Sequence, residues 1–199
     1  MKKHLINSIL AILFSIALVL SISCLTLLND NFIIKVMDSN NYYSEVYKSI
    51  RVDKNYNCEV DKDKLIKDIK TYVKKGFNID KVKVDNKCND LYKEHISIDI
   101  FNKINMRTVY YGTFLITIVV VIIIGSLFIK TKGIHSLDNI ILISFPLLII
   151  ISGLIYIFIN TDIDIINKVI NSANDLLLGI SIILFEIIIF KKIKTRLKK

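Results

Sequence analysis

Four long apolar runs constrain this chain more than any other feature: Leu5 to Leu28, Thr108 to Ile129, Asn139 to Ile159 and Ala173 to Phe190. Each is long enough to cross a ~30 Å hydrocarbon core as a helix rising 1.5 Å per residue. Inside a bilayer the peptide groups have no water to bond, so only helices and closed barrels span it. These runs are continuous rather than alternating, which predicts helices. The expected fold is an all-α polytopic membrane protein with four transmembrane helices and an extracytoplasmic helical insert between the first and second.

The first run has a competing reading, because a basic start followed by an apolar core also describes a secretory signal peptide. Ser21, Ser23 and Cys24 supply the small residues of a cleavage site, and Cys24 follows a loose lipobox-like sequence. The run of about 24 residues exceeds an ordinary signal core. A retained helix is therefore expected.

Charge sets the orientation. The net charge of +9 would suggest nucleic acid if it formed one patch on a soluble protein. Here it is spread beside the apolar runs. The insert 29–107 has 16 Lys/Arg against 13 Asp/Glu, or +3, and 160–175 has one Lys against three Asp, or −2. The remaining +8 lies at the N-terminus, around Lys130 and Lys132, and in the tail Lys191, Lys192, Lys194, Arg196, Lys198 and Lys199. With four spans these three groups share one side, which the positive-inside rule makes cytoplasmic. The expected location is the cytoplasmic membrane, multi-pass, with both termini inside, membrane lipids as partners and no nucleic acid.

The division that follows is 1–28 for the cytoplasmic N-terminus and first span, 29–107 for the outer domain, 108–129 for the second span and 130–138 for a cytoplasmic loop. The third span is 139–159, an outer loop 160–172, the fourth span 173–190 and a basic cytoplasmic tail 191–199.

Within the insert, Asp38 or Ser39 is placed to cap a helix to Ile50 whose Tyr43, Val46, Tyr47 and Ile50 share a face. A second helix is expected from about Asp61 to Lys75, burying Leu65, Ile66, Ile69, Tyr72 and Val73, with Gly76 ending it. Val82 and Val84 alternate with charged residues and suggest a short extended piece. From Asn89 a third helix carries Leu91, Tyr92, His95, Ile98 and Phe101 on one face. In the second outer loop, Ile163, Ile166 and Ile170 suit a short interfacial helix, or else the entry to the fourth span. Cys58 and Cys88 are expected to form a disulfide closing a loop of about 30 residues, worth roughly 3–4 kcal/mol; two free thiols are the alternative.

Few residues invite chemistry. No two of His4, His95 and His135 approach a metal-ligand spacing, and no cofactor motif is present, so neither metal nor cofactor is expected. His95 and Asp99 lie four apart on one helical face, where a carboxylate orients an imidazole acting as a general base. The plainer reading is a half-exposed histidine beside an acid. Glu186 is the ionisable group set deep in an apolar run. Such acids are often functional, although Lys130 and the nearby cytoplasmic interface offer this one a partner and water. Ala17, Ser21, Gly125, Gly153 and Gly179 are small residues suited to close helix packing.

The segment NNYYSEVYKSI, followed by DKDKLIKDIKTYVKKGF, resembles uncharacterised four-helix membrane proteins of low-GC Gram-positive bacteria with an outer helical domain between the first two spans. The order of a large first and small second outer loop is also similar to lipoprotein intramolecular transacylases. HISIDIF at His95 to Phe101 resembles the first outer-face histidine of their active sites, while the second outer loop here has neither histidine nor tryptophan. The function expected from the sequence is a non-enzymatic accessory, sensing or assembly component contacting another envelope protein. A membrane-embedded acyl transferase using His95, and a small channel or transporter subunit using Glu186, stand as alternatives.

Overall fold

The computed structural model describes residues 2–53, 58–82, 84, 86–96, 106–130, 137–159, 161 and 163–197. Its α-helices are α1 (Lys2–Leu25), α2 (Asp30–Ser39), α3 (Tyr42–Val52), α4 (Lys62–Lys74), α5 (Asn89–His95), α6 (Met106–Lys130), α7 (Leu137–Phe158) and α8 (Asp164–Leu197). No strand occurs among the described residues. The chain divides into two compact units, one of residues 1–25 and 112–199, the other of residues 26–111.

In the first unit, α1 presents a stripe of Asn7, Leu10, Ala11, Ser15, Ala17, Ile22 and Cys24, all buried. Leu10 and Ala11 pack with Ile140 of α7, whereas Ile22, further along α1, packs with Leu148 of α7 and Leu177 of α8. The two contacts ascend both helices together, so α1 and α7 run parallel. Helix α8 runs antiparallel to α7: Lys191 meets Asp138 at 2.9 Å, and Asn174 Nδ2 donates to the Ser152 carbonyl at 3.2 Å. Ile124, Leu127 and Phe128 of α6 lean on the Leu10 cluster. The starts of α1 and α7 and the ends of α6 and α8 therefore lie at the same end of this unit.

Three helices are long and apolar enough to cross a membrane: Leu5–Leu25, Thr108–Phe128 and Leu137–Phe158. No residue of Thr108–Phe128 is buried by protein, and Phe114, Leu115, Ile116, Val119, Val121 and Ile122 stand open along it. Apolar area of this extent is stable only against lipid or another apolar surface. This is a membrane protein.

Helix α8 runs through Ser172 and Ala173 without a break, so the segment of Ile165, Ile166 and Ile170 is the first part of the same helix as the fourth apolar run. Its 34 residues form one helix, because Ile165, Val169, Ala173, Leu177, Ser181 and Ile188 continue a single buried stripe across that point. The turn before it is closed by Asn167, whose amide accepts from the Thr161 N–H at 2.8 Å and donates to the Thr161 carbonyl at 2.7 Å. Asp162 lies outside the described residues. Gly125, Gly153 and Gly179 do not provide the expected close approaches, since a Cβ at each would meet nothing within 4 Å. Ala11, Ala17, Ser15, Ser144, Ser152 and Ser181 fill the buried positions instead. The Ser15, Ser144 and Ser181 hydroxyls donate to carbonyls one turn back in their own helices, which satisfies them without a partner helix.

In the second unit, α2, α3 and α4 pack against one another and α5 packs against α3. The expected helix start at Asp38 or Ser39 is corrected. Those residues end α2, which begins at the N-cap Asn29, whose side chain accepts from the Asn31 and Phe32 N–H groups. The chain then reverses at Asn40 and Asn41, the latter at φ 55°, a left-handed conformation that asparagine tolerates. Tyr43, Val46 and Ile50 of α3 are buried as expected, while Tyr47 is only partly so.

Helix α4 follows the expected pattern closely. Asp61 caps it through the Lys64 N–H at 2.9 Å, and Leu65, Ile69, Tyr72 and Val73 are buried, with Ile66 at the margin. At its end the Gly76 N–H donates to the Val73 carbonyl and the Phe77 N–H to the Tyr72 carbonyl. These are the two bonds of a Schellman stop, with Gly76 at φ 71°. The Phe77 ring meets the Tyr72 ring edge-on at 5.4 Å, supplying the apolar contact across the turn.

At Val82 the backbone is extended (φ −89°, ψ 127°) as expected, but no strand forms there among the described residues, and a turn precedes it. The Asn78 side chain accepts from the Asp80 N–H, a short 3-10 turn spans Ile79–Lys81, and the Val82 N–H donates back to the Ile79 carbonyl. Asparagine's local bonding to the backbone competes here with strand formation. Lys83 and Asp85 lie outside the described residues. So do Ile98, Asp99 and Phe101, and with them the question of how α5 continues.

Candidate functional site

Helix α3 ends at Asp53, whose N–H bonds to the Ser49 and Ile50 carbonyls. Helix α5 ends at His95, followed by the buried Ile96, whose N–H bonds to the Tyr92 carbonyl. These two helix ends meet: His95 Nε2 lies 2.9 Å from Asp53 Oδ2, with the side chains 19% and 11% exposed. The imidazole N–H donates to the carboxylate. Glu94, next to His95 and exposed, completes a group in which one ligand atom from each residue lies within 4.8 Å of the others. Asp99, the partner expected from helical spacing, lies outside the described residues. Among the described residues, the acid that pairs with His95 is Asp53, 42 positions away.

The surroundings are fixed by several ties. Cys58 and Cys88 form a disulfide with Cα atoms 5.4 Å apart, joining the segment after α3 to the residue before α5. Tyr92 of α5 donates its hydroxyl to Asp68 of α4 at 3.1 Å. Lys70 of α4 binds Asp38 of α2 at 3.0 Å and lies 5.4 Å from the centre of the Tyr43 ring. Burial raises the Tyr42 hydroxyl to about 12, helped by Tyr72 and Glu45. Burial also pushes Tyr43 and Tyr92 above the usual tyrosine range, aided by the Asp38 and Asp68 carboxylates respectively.

An open pocket of about 470 Å³ is lined by Leu28, Asn29, Lys74, Gly76, Tyr110 and Tyr111, among others, and His95 is not part of its wall. Family models, curated protein sequences and solved structures were each compared with the chain, and none matches. The chemistry of the site therefore rests on its own residues.

Glu186 lies on an exposed face of α8, and among the described residues it makes no ion pair. The Lys130 side chain, its expected partner, is outside the described atoms, as are Lys132, His135 and the His4 side chain. Cys24 is a buried free thiol within α1.

No spacing in the sequence pairs Asp53 with His95. The Cys58–Cys88 expectation brings two chain segments together, but Asp53 lies five residues before one cysteine and His95 seven after the other. Arms of that length, extending up to ~3.5 Å per residue, leave the register open. Only the packing of α5 on α3 selects it.

Proposed function

We propose that this protein crosses the cytoplasmic membrane four times, with both termini inside, and holds the unit of residues 26–111 on the outer face as a non-enzymatic accessory, sensing or assembly component. The fourth crossing is the apolar part of α8, supported by its packing along α7 and by the lysines that follow Phe190. The single observation that carries the reading is the disulfide-tied helical unit inserted between α1 and α6. A structural disulfide belongs to an oxidising compartment, and the positive flanks support the same assignment, with this segment opposite the basic ends.

Between Asp30 and Ile96, Val52 is the one large apolar side chain strongly exposed among the described residues. The contact with another envelope protein is accordingly polar. A second reading, acyl transfer at the membrane surface with His95 as base, is favoured by the 2.9 Å contact with Asp53, which has the geometry of an acid orienting a general base.

The test has two stages. Cysteines placed at Val52 and at Leu197 are exposed to a membrane-impermeant maleimide in intact cells, where Val52→Cys should label and Leu197→Cys should not. Photocrosslinking residues are then placed on the exposed faces of α3 and α4. A discrete adduct that disappears when the same group is moved to the tail supports the accessory reading. Labelling of Leu197→Cys from outside refutes the topology, and altered lipid or lipoprotein products in a His95→Ala strain without any adduct would move the reading to acyl transfer.

A further inference from the structure

Asp53, Glu94 and His95 offer one imidazole nitrogen and two carboxylate oxygens around a common point. We propose that they form a binding site for a borderline divalent transition cation, zinc being the best match. The inference goes beyond the accessory reading and holds for either function, because it concerns only the three side chains.

The donor set decides the class of ion. Calcium takes six to eight oxygens, and magnesium keeps most of its water; neither selects an imidazole. Soft, thiolate-bound ions are not served, because Cys58 and Cys88 are consumed in the disulfide. Imidazole with carboxylates suits zinc and its neighbours. Two carboxylates and a neutral imidazole carry a formal charge of about −2, which balances a divalent ion.

The geometry is close to what zinc needs. Zinc–ligand bonds of about 2.0–2.2 Å in a tetrahedron place neighbouring donor atoms roughly 3.3–3.5 Å apart. His95 Nε2 and Asp53 Oδ2, at 2.9 Å, need to separate only slightly for the ion to sit between them, the neutral ring then carrying its proton on Nδ1. Glu94, exposed at the end of α5, must close from within 4.8 Å.

Preorganisation comes from the backbone. Successive residues of a helix point about 100° apart, so Glu94 and His95 converge only because α5 stops there against the end of α3. Asp53 is held by two backbone bonds at that end, and the disulfide restrains both approaching segments. With three protein ligands, the fourth position is open to water or to a group from a partner, the arrangement of zinc sites that are not purely structural.

Zinc chloride is titrated by calorimetry into the full-length protein in detergent, in two buffers of different ionisation enthalpy. Saturable binding of a single ion per chain is expected in both buffers. Glu94→Gln, at an exposed position, should leave the fold intact, as read by near-ultraviolet circular dichroism and a non-reducing gel. Loss of an outer-shell partner already weakens metal binding by 10–100-fold, so loss of the ligand itself should weaken it by roughly tenfold or more. His95→Gln should do the same, and a His4→Gln/His135→Gln control should not. X-ray absorption at the zinc edge should show nitrogen and oxygen ligands with imidazole scattering and no sulfur. The proposal is overturned if wild-type protein takes up no zinc at micromolar concentration, if folded Glu94→Gln binds as wild type, or if the zinc shell contains sulfur.

Discussion

Replacing Cys58 and Cys88 together with serine removes the disulfide of the inserted unit and tests how that unit is held together. The bridge spans a sequence separation of 30, for which the chain-entropy relation gives a loss of about 12 cal/mol/K, or about 3.6 kcal/mol at 25 °C. Exposed ion pairs such as Lys70–Asp38 contribute at most ~1 kcal/mol each, so the covalent tie outweighs several of them. The ends of the unit run into α1 and α6, which restrains its unfolded state somewhat. The bridge still closes a shorter loop nested inside that one, so most of its entropy effect survives. For a unit of residues 26–111, an unfolding entropy of about 2.1 cal/mol/K per residue converts the loss into a fall of roughly 20 °C in Tm. The chain has no tryptophan, and six of its nine tyrosines lie in the insert, so near-ultraviolet circular dichroism of the full-length protein in detergent follows mainly this unit. A fall of only a few degrees would refute the reasoning and show that helix packing or the flanking helices restrain the unfolded chain almost as well as the bridge.

Three further outcomes follow from named residues. Gly76→Ala should destabilise the inserted unit by about 1–2 kcal/mol through left-handed backbone strain alone, because no neighbouring atom lies within 4 Å to clash, and Gly76→Asn should lose less; equal melting of Gly76→Ala and wild type would contradict the Schellman stop. Tyr42, held up to about 12 by burial, favours its protonated form in the folded state, so its contribution to stability is complete below about 10 and is lost as pH rises from there through about 12. An absorbance titration of phenolate should show Tyr42, Tyr43 and Tyr92 ionising after the exposed tyrosines, and uniform ionisation near 10 would count against their burial. Asn174→Ala removes the bond to the Ser152 carbonyl and should weaken α7–α8 packing by about 0.6 and at most ~1.7 kcal/mol, as for other hydrogen bonds between membrane helices, read as earlier unfolding in denaturing detergent mixtures.

What the sequence by itself determined is what depends on neighbours along the chain. Apolar length specified the three helices able to cross a membrane, since a span needs only enough consecutive apolar residues. The stripe Leu65, Ile69, Tyr72 and Val73, with Asp61 before it and Gly76 after it, specified α4, because caps and period act within a few residues. Tertiary structure decided the rest. Asn40 and Asn41 break α2 from α3 because a reversal there lets both pack on α4, whereas Asp38 and Ser39 are equally good caps in isolation. Helix α8 passes through Ser172 because its buried stripe meets α1 and α7. His95 meets Asp53 because two helix ends brought together by packing and a disulfide impose a contact across 42 residues that no local spacing encodes.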